Sequence, residues 1–95
     1  KQVFESDDFG DQFDQALANV IEVVTSAGGT TNSLVRLVVY VTDKREYLAQ
    51  LERIGTVWRA RMGKHFPTMA LVEVKGLLED AAKVEIEGIA VLSAE

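Results

Sequence analysis

Residues 34–42 (LVRLVVYVT) constrain the fold most, because they form a strand-like run that is apolar on both faces. Only Arg36 clearly interrupts this character. A strand that is apolar on both faces needs cover on both sides of its sheet. Helices of the same chain can cover one face. In a chain of only 95 residues, we expect a second subunit to cover the other.

The residues before this strand have the spacing of an amphipathic helix. Ser6, Asp7 and Asp8 carry side-chain oxygens that can cap a helix N-terminus, and the glycines at positions 28 and 29 end the pattern. The apolar residues between them recur at intervals of three or four. They are Phe9, Phe13, Ala16, Leu17, Val20, Ile21, Val24 and Ala27. We therefore predict one long helix with a single buried face.

A second helix is predicted after the strand. Asp43 and Glu46 have the spacing of a capping box, and Gly63 with Pro67 marks the end. The apolar stripe consists of Tyr47, Leu48, Leu51, Ile54, Trp58 and Met62. The helix is rich in lysine and arginine, although the chain has a net charge of −5. These cations form either an ordinary solvated face or a patch for an anionic partner.

The last third of the chain predicts two more strands. Residues 71–75 and 83–89 alternate with period two, and we interpret residues 76–82 as a wide hairpin loop joining an antiparallel pair. The expected buried residues of the final strand are Val84, Ile86 and Ile89. The order helix, strand, helix, strand, strand predicts an α+β domain. Two helices would pack on one face of a small mixed sheet that contains a strand–helix–strand unit.

Composition argues against several kinds of site and partner. With no cysteine and one histidine, the chain has few zinc ligands, and we predict no metal and no cofactor. The net charge of −5 opposes the phosphate contacts that nucleic-acid binding requires. We see neither an apolar run near the ~20 residues of a membrane span nor a signal peptide. We therefore expect a cytoplasmic protein with no nucleic-acid or membrane partner.

Three segments in a fixed order resemble the Rid family of reactive intermediate deaminases, also called YjgF-like proteins. They are VRLVVYVTD from residue 35, FPTMALVEV from residue 66 and KVEIEGIAV from residue 83. The resemblance implies a chorismate-mutase-like fold and a homotrimer with small-molecule pockets in the clefts between subunits. Many members hydrolyse enamines and imines, such as 2-aminoacrylate, to keto acids and ammonia. A few members have been labelled ribonucleases.

The resemblance also implies which residues form the site. Glu85 matches the family glutamate that positions or activates water, and is our catalytic candidate. Around the family's substrate-binding arginine we place Thr68, Met69 and Ala70, with Arg36 as a substitute cation. Met69 itself replaces that arginine, and a thioether cannot form the bidentate pair that a guanidinium makes with a carboxylate.

Two further departures from the family pattern bear on function. We expect a single domain over residues 1–95 without the family's N-terminal strand hairpin, and a longer second helix with Gly55 near the place of a family asparagine. Glu85 could also be a surface residue paired with Lys75 or Lys83. Two hypotheses follow: an enamine or imine hydrolase that uses Glu85, or a non-catalytic trimeric ligand-binding protein. Met69 favours the second hypothesis.

Overall fold

The computed structural model describes residues 6–92 and confirms the predicted α+β class. Its elements are α1 (Phe9–Ser26), a short 3-10 helix (Thr31–Ser33), β1 (Leu34–Val41), α2 (Lys44–Ala49), α3 (Leu51–Met62), β2 (Thr68–Glu73) and β3 (Val84–Ala90). Among the described residues, no helix has both the length and the apolar character that a membrane crossing requires.

The sheet has three strands in the order β2-β1-β3. β1 pairs in parallel with β2, as the predicted strand–helix–strand unit requires, and antiparallel with β3. The predicted hairpin between the last two strands was therefore wrong, since β1 lies between them. Alternation identifies a strand but not its partner. β1 is the most apolar strand, so a neighbouring strand on each side buries the most apolar surface. Residues 74–83 connect the two edge strands, β2 and β3.

The helix-facing side of the sheet forms the core. Leu37, Val39 and Val41 are buried on β1, beside Val84 and Ile86 of β3. A register shift between Leu34 and Arg36 allows Leu34 to be buried as well. The prediction that Ile89 is buried was wrong. Gly88 takes the inward position opposite Leu37, so the Ile89 side chain points to the opposite face and is 54% exposed.

Helix α1 matches its sequence pattern. The Asp8 carboxylate accepts a hydrogen bond from the backbone of Asp11, which caps the helix as predicted. The second predicted helix, in contrast, is two helices that meet at Gln50, whose backbone (φ −123°, ψ 32°) leaves the helical region. The break changes the phase of the apolar stripe, so Leu48 and Leu51 are exposed rather than buried. Asp43 still caps α2, whereas Glu46 pairs with Lys83.

Most cations of α3 pair with carboxylates of α1. Arg53 lies 2.6 Å from Asp11 and 3.5 Å from Asp8, and Arg61 pairs with Asp14. The hydrogen bond from Arg53 holds the pKa of Asp11 below its usual value, and Ser6 adds to the effect. These pairs are half-exposed, so each adds little stability. The arginines at these positions are thus already neutralised within the chain.

Gln12 is the buried polar residue that connects α1 to the segment before β3. Its amide nitrogen donates to the carbonyl oxygens of Ser6 and Ala81, both at 3.0 Å, and its oxygen accepts from the Lys83 backbone at 2.7 Å. The side chain is 1% exposed. One amide group therefore satisfies three backbone groups that have no strand partner there.

We predict that Gln12→Leu lowers the free energy of unfolding by about 1–3 kcal/mol, because it leaves three partly buried backbone groups without their partner. Gln15→Leu is the control, since Gln15 is exposed and its side chain bonds only to Asn19 among residues 6–92. That change should stay within about 0.5 kcal/mol of the wild type. Urea unfolding followed by circular dichroism measures both, and equal effects of the two substitutions would contradict the role of Gln12.

The glycine of the VEIEGIA segment is required by packing. A Cβ atom at Gly88 would lie 3.0 Å from side-chain carbons of Leu34 and Val20 and 3.1 Å from one of Leu37. These distances are shorter than ordinary carbon–carbon contacts. Because Val20 belongs to α1, this glycine permits the close approach of α1 to β3.

We expect Gly88→Ala to destabilise the protein by about 1–3 kcal/mol through overpacking. Gly76→Ala is the matched control, because a Cβ there would meet no atom within 4 Å. The control should leave stability unchanged or slightly raise it. Thermal unfolding of the two variants tests this prediction. A Gly88→Ala protein as stable as the wild type would show that α1 and β3 are not closely packed at this position.

Candidate functional site

The face of the sheet that points away from the helices is uncovered in a single chain; we call it the open face. Its residues are Arg36, Val38 and Tyr40 of β1, Thr68, Ala70 and Val72 of β2, and Glu85, Glu87 and Ile89 of β3. The register places them in three rows across the sheet, one of which is Val72, Tyr40 and Glu85. Val72 and Ile89 are substantially exposed here. A covering subunit remains a prediction, but the apolar surface it would bury is present.

Glu85 lies directly beside Tyr40 in this face. Within residues 6–92 its carboxylate forms no hydrogen bond or ion pair, and it is exposed. The sequence had left open a pairing with Lys75 or Lys83, but the Lys83 ammonium lies 3.5 Å from Glu46 instead. A depression of about 430 Å³ adjoins Glu85, with Tyr40, Leu77 and Glu87 also in its lining. Glu85 therefore has the space and the free lone pairs to bind water or a ligand.

Glu87 has a different environment from Glu85, although both lie on the same face. The Tyr40 hydroxyl donates a hydrogen bond of 3.0 Å to Glu87 Oε1. This bond, and the negative charge of Glu87, raise the pKa of Tyr40, because ionising the phenol would lose the bond and place two anions together. Sequence alternation alone could not separate the two glutamates, whereas this contact leaves Glu85 as the unpaired one.

Met69 lies on the other side of the sheet. It is beside Leu37 in the register and therefore points toward the helices, while Thr68 and Ala70 on either side of it point to the open face. β2 and β3 are separated by β1, so their backbones are about 10 Å apart. A single chain thus cannot bring Met69 and Glu85 into one pocket.

Arg36 also lies far from Glu85. It shares a row with Thr68 and Ile89, four residues along β1 from the Tyr40 row, which corresponds to about 13 Å. Within one chain, Arg36 is therefore not a substitute for the missing carboxylate-binding arginine beside Glu85. The five candidate residues occupy three places: Glu85, the Arg36 end of the open face with Thr68 and Ala70, and Met69 behind the sheet.

Sequence reasoning missed two features near these residues. Tyr40, which flanks Glu85 and bonds to Glu87, was recognised only as a residue of a two-sided strand. Met69 lines an apolar groove between α3 and the start of β2. The groove is lined by residues on both sides of the break between α2 and α3, so no single helical period in the sequence predicts it. Within the part of the chain that the structure describes, no group of three or more acidic or histidine side chains could hold a metal ion.

Comparison with known proteins agrees on one family. The family model described as endoribonuclease L-PSP matches residues 1–92. The 2-iminobutanoate/2-iminopropanoate deaminase of Salmonella typhimurium is 33% identical over 90% of this chain. Among solved structures, Rv2704 of Mycobacterium tuberculosis, a YjgF/YER057c/UK114 family member, is 32% identical over 93% of this chain and 71% of its own, with a TM-score of 0.77.

A second solved structure is E. coli TdcF with bound serine. It is 31% identical, with a TM-score of 0.76 over 88% of this chain. The chain spans 65% of that TdcF chain and 66% of the length of the curated relatives such as the Salmonella deaminase. The likeness thus covers nearly all of this chain but only part of each relative.

We predict that Glu87→Gln moves the pKa of Tyr40 down toward the ordinary value of about 10, since an amide accepts the hydrogen bond without a charge. Glu85→Gln is the control, because Glu85 acts on Tyr40 only through its charge and more weakly. Phenolate absorbance in a Tyr47→Phe background isolates Tyr40. Because the folded-state pKa is raised, Tyr40 stabilises the fold below pH ~10, and this contribution disappears as the pH rises through the folded value. Equal shifts in both variants would contradict the assignment.

Proposed function

Because the chain belongs to the Rid family of YjgF-like proteins, whose family model carries the description endoribonuclease L-PSP, we propose that it acts on a small enamine or imine. The ligand would lie in a cleft between subunits of a homotrimer and be hydrolysed to a keto compound and ammonia. The observation that carries the proposal is Glu85, a carboxylate without a partner among residues 6–92, next to a depression in the open face. The name of the Salmonella relative, 2-iminobutanoate/2-iminopropanoate deaminase, describes the same kind of chemistry.

In the proposed reaction, the enamine first takes a proton from solvent at carbon and becomes the iminium ion. Water then adds to the iminium carbon, and Glu85 accepts the proton that the water releases. Glu85 passes this proton to the nitrogen, and ammonia leaves when the carbinolamine collapses to the C=O group and its hydroxyl proton returns to solvent. One water is consumed and one ammonia is formed, so no cofactor or metal takes part in this scheme.

The proposed cleft needs more than one copy of the chain, and the family resemblance makes the proposed assembly a homotrimer. Met69 and Glu85 lie on opposite faces of the sheet, so a pocket that contains both requires two copies of the chain. The apolar side chains of the open face supply surface that such an assembly would bury, which favours association. Thr68, Ala70 and Arg36 would then contribute to the cleft only from a position across a subunit boundary.

A non-catalytic ligand-binding trimer is the second candidate, and Met69 is the observation that favours it. A methionine cannot bind the carboxylate of a small amino-acid-derived imine as an arginine does. The cleft would then bind a ligand without hydrolysing it. We do not propose the ribonuclease activity in the family description, because a chain with a net charge of −5 has little to offer a phosphate backbone.

We expect the protein to accelerate hydrolysis of 2-aminoacrylate that a dehydratase generates in the cuvette. Semicarbazide traps the uncatalysed imine, and the keto acid is measured. Glu85→Gln should lower the rate by about 100-fold or more, because it removes the proton acceptor. Glu22→Gln, an exposed glutamate of α1, is the matched control and should keep the wild-type rate.

Three outcomes decide between the candidates. Activity that Glu85→Gln retains would overturn the role of Glu85. Activity that appears only in Met69→Arg would favour the ligand-binding candidate with an intact but altered cleft. No activity in any variant, together with a monomer by light scattering, would overturn both the hydrolase and the trimeric cleft.

A further inference from the structure

The groove beside Met69 is apolar with a cation at its edge. It has a volume of about 320 Å³ and lies between α3 and the start of β2. Ile54 and Trp58 are buried beneath it, while Leu51, Phe66 and Met69 line it and remain 39–69% exposed. The rings of Trp58 and Phe66 stack at 5.8 Å, almost parallel. So much uncovered apolar surface in a concave site is typical of a ligand pocket.

Arg59 is the cation of this groove, and it has no carboxylate partner among residues 6–92. The other two arginines of α3, Arg53 and Arg61, pair with carboxylates of α1. Within residues 6–92, the Arg59 guanidinium donates only a long hydrogen bond of 3.5 Å, to the Thr56 hydroxyl. A guanidinium with most of its donors unused, beside an apolar surface, is complementary to an anion that carries an apolar group.

Gly55 lies directly beneath the Arg59 guanidinium. A Cβ atom at residue 55 would lie 3.2 Å from Arg59 Nη1 and 3.9 Å from its Cζ, so the guanidinium lies over the bare backbone of the preceding helical turn. Gly55 lines the same groove. A glycine inside a helix costs about 1 kcal/mol relative to alanine. In this chain, the glycine with that cost is Gly55, which lies beneath the Arg59 guanidinium at the edge of the groove.

We propose that this groove binds a monocarboxylate with an aryl or branched alkyl chain. Arg59 pairs with the carboxylate, and the apolar chain lies against Phe66 and Met69. The carboxylate-binding arginine of the family would stand on β2, where this chain has Met69. In this proposal Arg59 of α3 supplies that positive charge instead. The inference names the ligand class of the Met69 half of the proposed cleft, and to that extent it rests on the proposed function. The binding itself does not require hydrolysis by Glu85.

Trp58 makes the proposal directly measurable, because it is the only tryptophan of the chain and lies in the groove. The probe is 4-phenylbutyrate, and its uncharged analogue 4-phenylbutanamide is the ligand control. We expect a saturable change in tryptophan fluorescence with the carboxylate. The amide should bind about ten- to a hundredfold more weakly, because it lacks the charge-assisted hydrogen bonds.

Substitutions in the protein test the contact between Arg59 and the carboxylate independently of the ligand control. Arg59→Gln should weaken 4-phenylbutyrate binding about ten- to a hundredfold and leave amide binding unchanged. Met69→Glu should also weaken it, since a carboxylate in the groove repels the probe and competes for Arg59. Arg45→Gln is the matched control, because Arg45 is exposed and pairs with Asp43 outside the groove lining. It should bind the probe as the wild type does.

Equal binding of the acid and the amide, or full binding by Arg59→Gln, would overturn the proposal. The absence of any saturable signal, with calorimetry in agreement, would overturn it too and would indicate that another copy or segment of chain covers the groove. The hydrolase can fail separately. Probe binding without hydrolysis of 2-aminoacrylate refutes the enzyme alone, and hydrolysis without probe binding refutes the role of Arg59 alone.

Discussion

The central position of β1 is the constraint on which the rest of the structure depends. Its inward side chains, Leu37, Val39 and Val41, are fully or almost fully buried, and its backbone pairs with a strand on each side. The remaining helices and strands pack around this strand and complete its burial. α1 reaches β3 because Gly88 has no side chain, and Gln12 fastens the segment that leads into β3. Removing either of these contacts therefore acts on the core as a whole.

The alternation of side chains along β1 also divides the chemistry of the molecule. Tyr40 points away from the core and, with Glu85 and Glu87, forms an acidic end of the open face. Met69 follows the opposite phase and joins the aromatic residues behind the sheet. A one-residue difference in phase thus separates two parts of what the family resemblance implied to be one cleft. Any site that unites them has to be built from more than one chain.

Much of the fold could be predicted from the sequence because it depends on local signals. The cap at Asp8, the cap at Asp43 and the alternation of β3 as far as Glu87 were all correct. The strand partners could not be predicted, because period two is the same for a parallel and an antiparallel neighbour. The break at Gln50 was also missed, since no glycine or proline marks it. The candidate residues were named from a motif, but their separation on two faces required the register.

The distribution of charge between α1 and α3 connects stability to binding. The carboxylates of α1 pair with Arg53 and Arg61, so two of the three arginines of α3 are neutralised within the chain. Arg59 lies between these two positions but points to the groove over Gly55 rather than toward α1. A uniform basic patch would attract any anion. One guanidinium that has no carboxylate partner in the described part of the chain, beside stacked aromatic rings, instead favours an anion with an apolar body, because only such a ligand satisfies charge and apolar contact together.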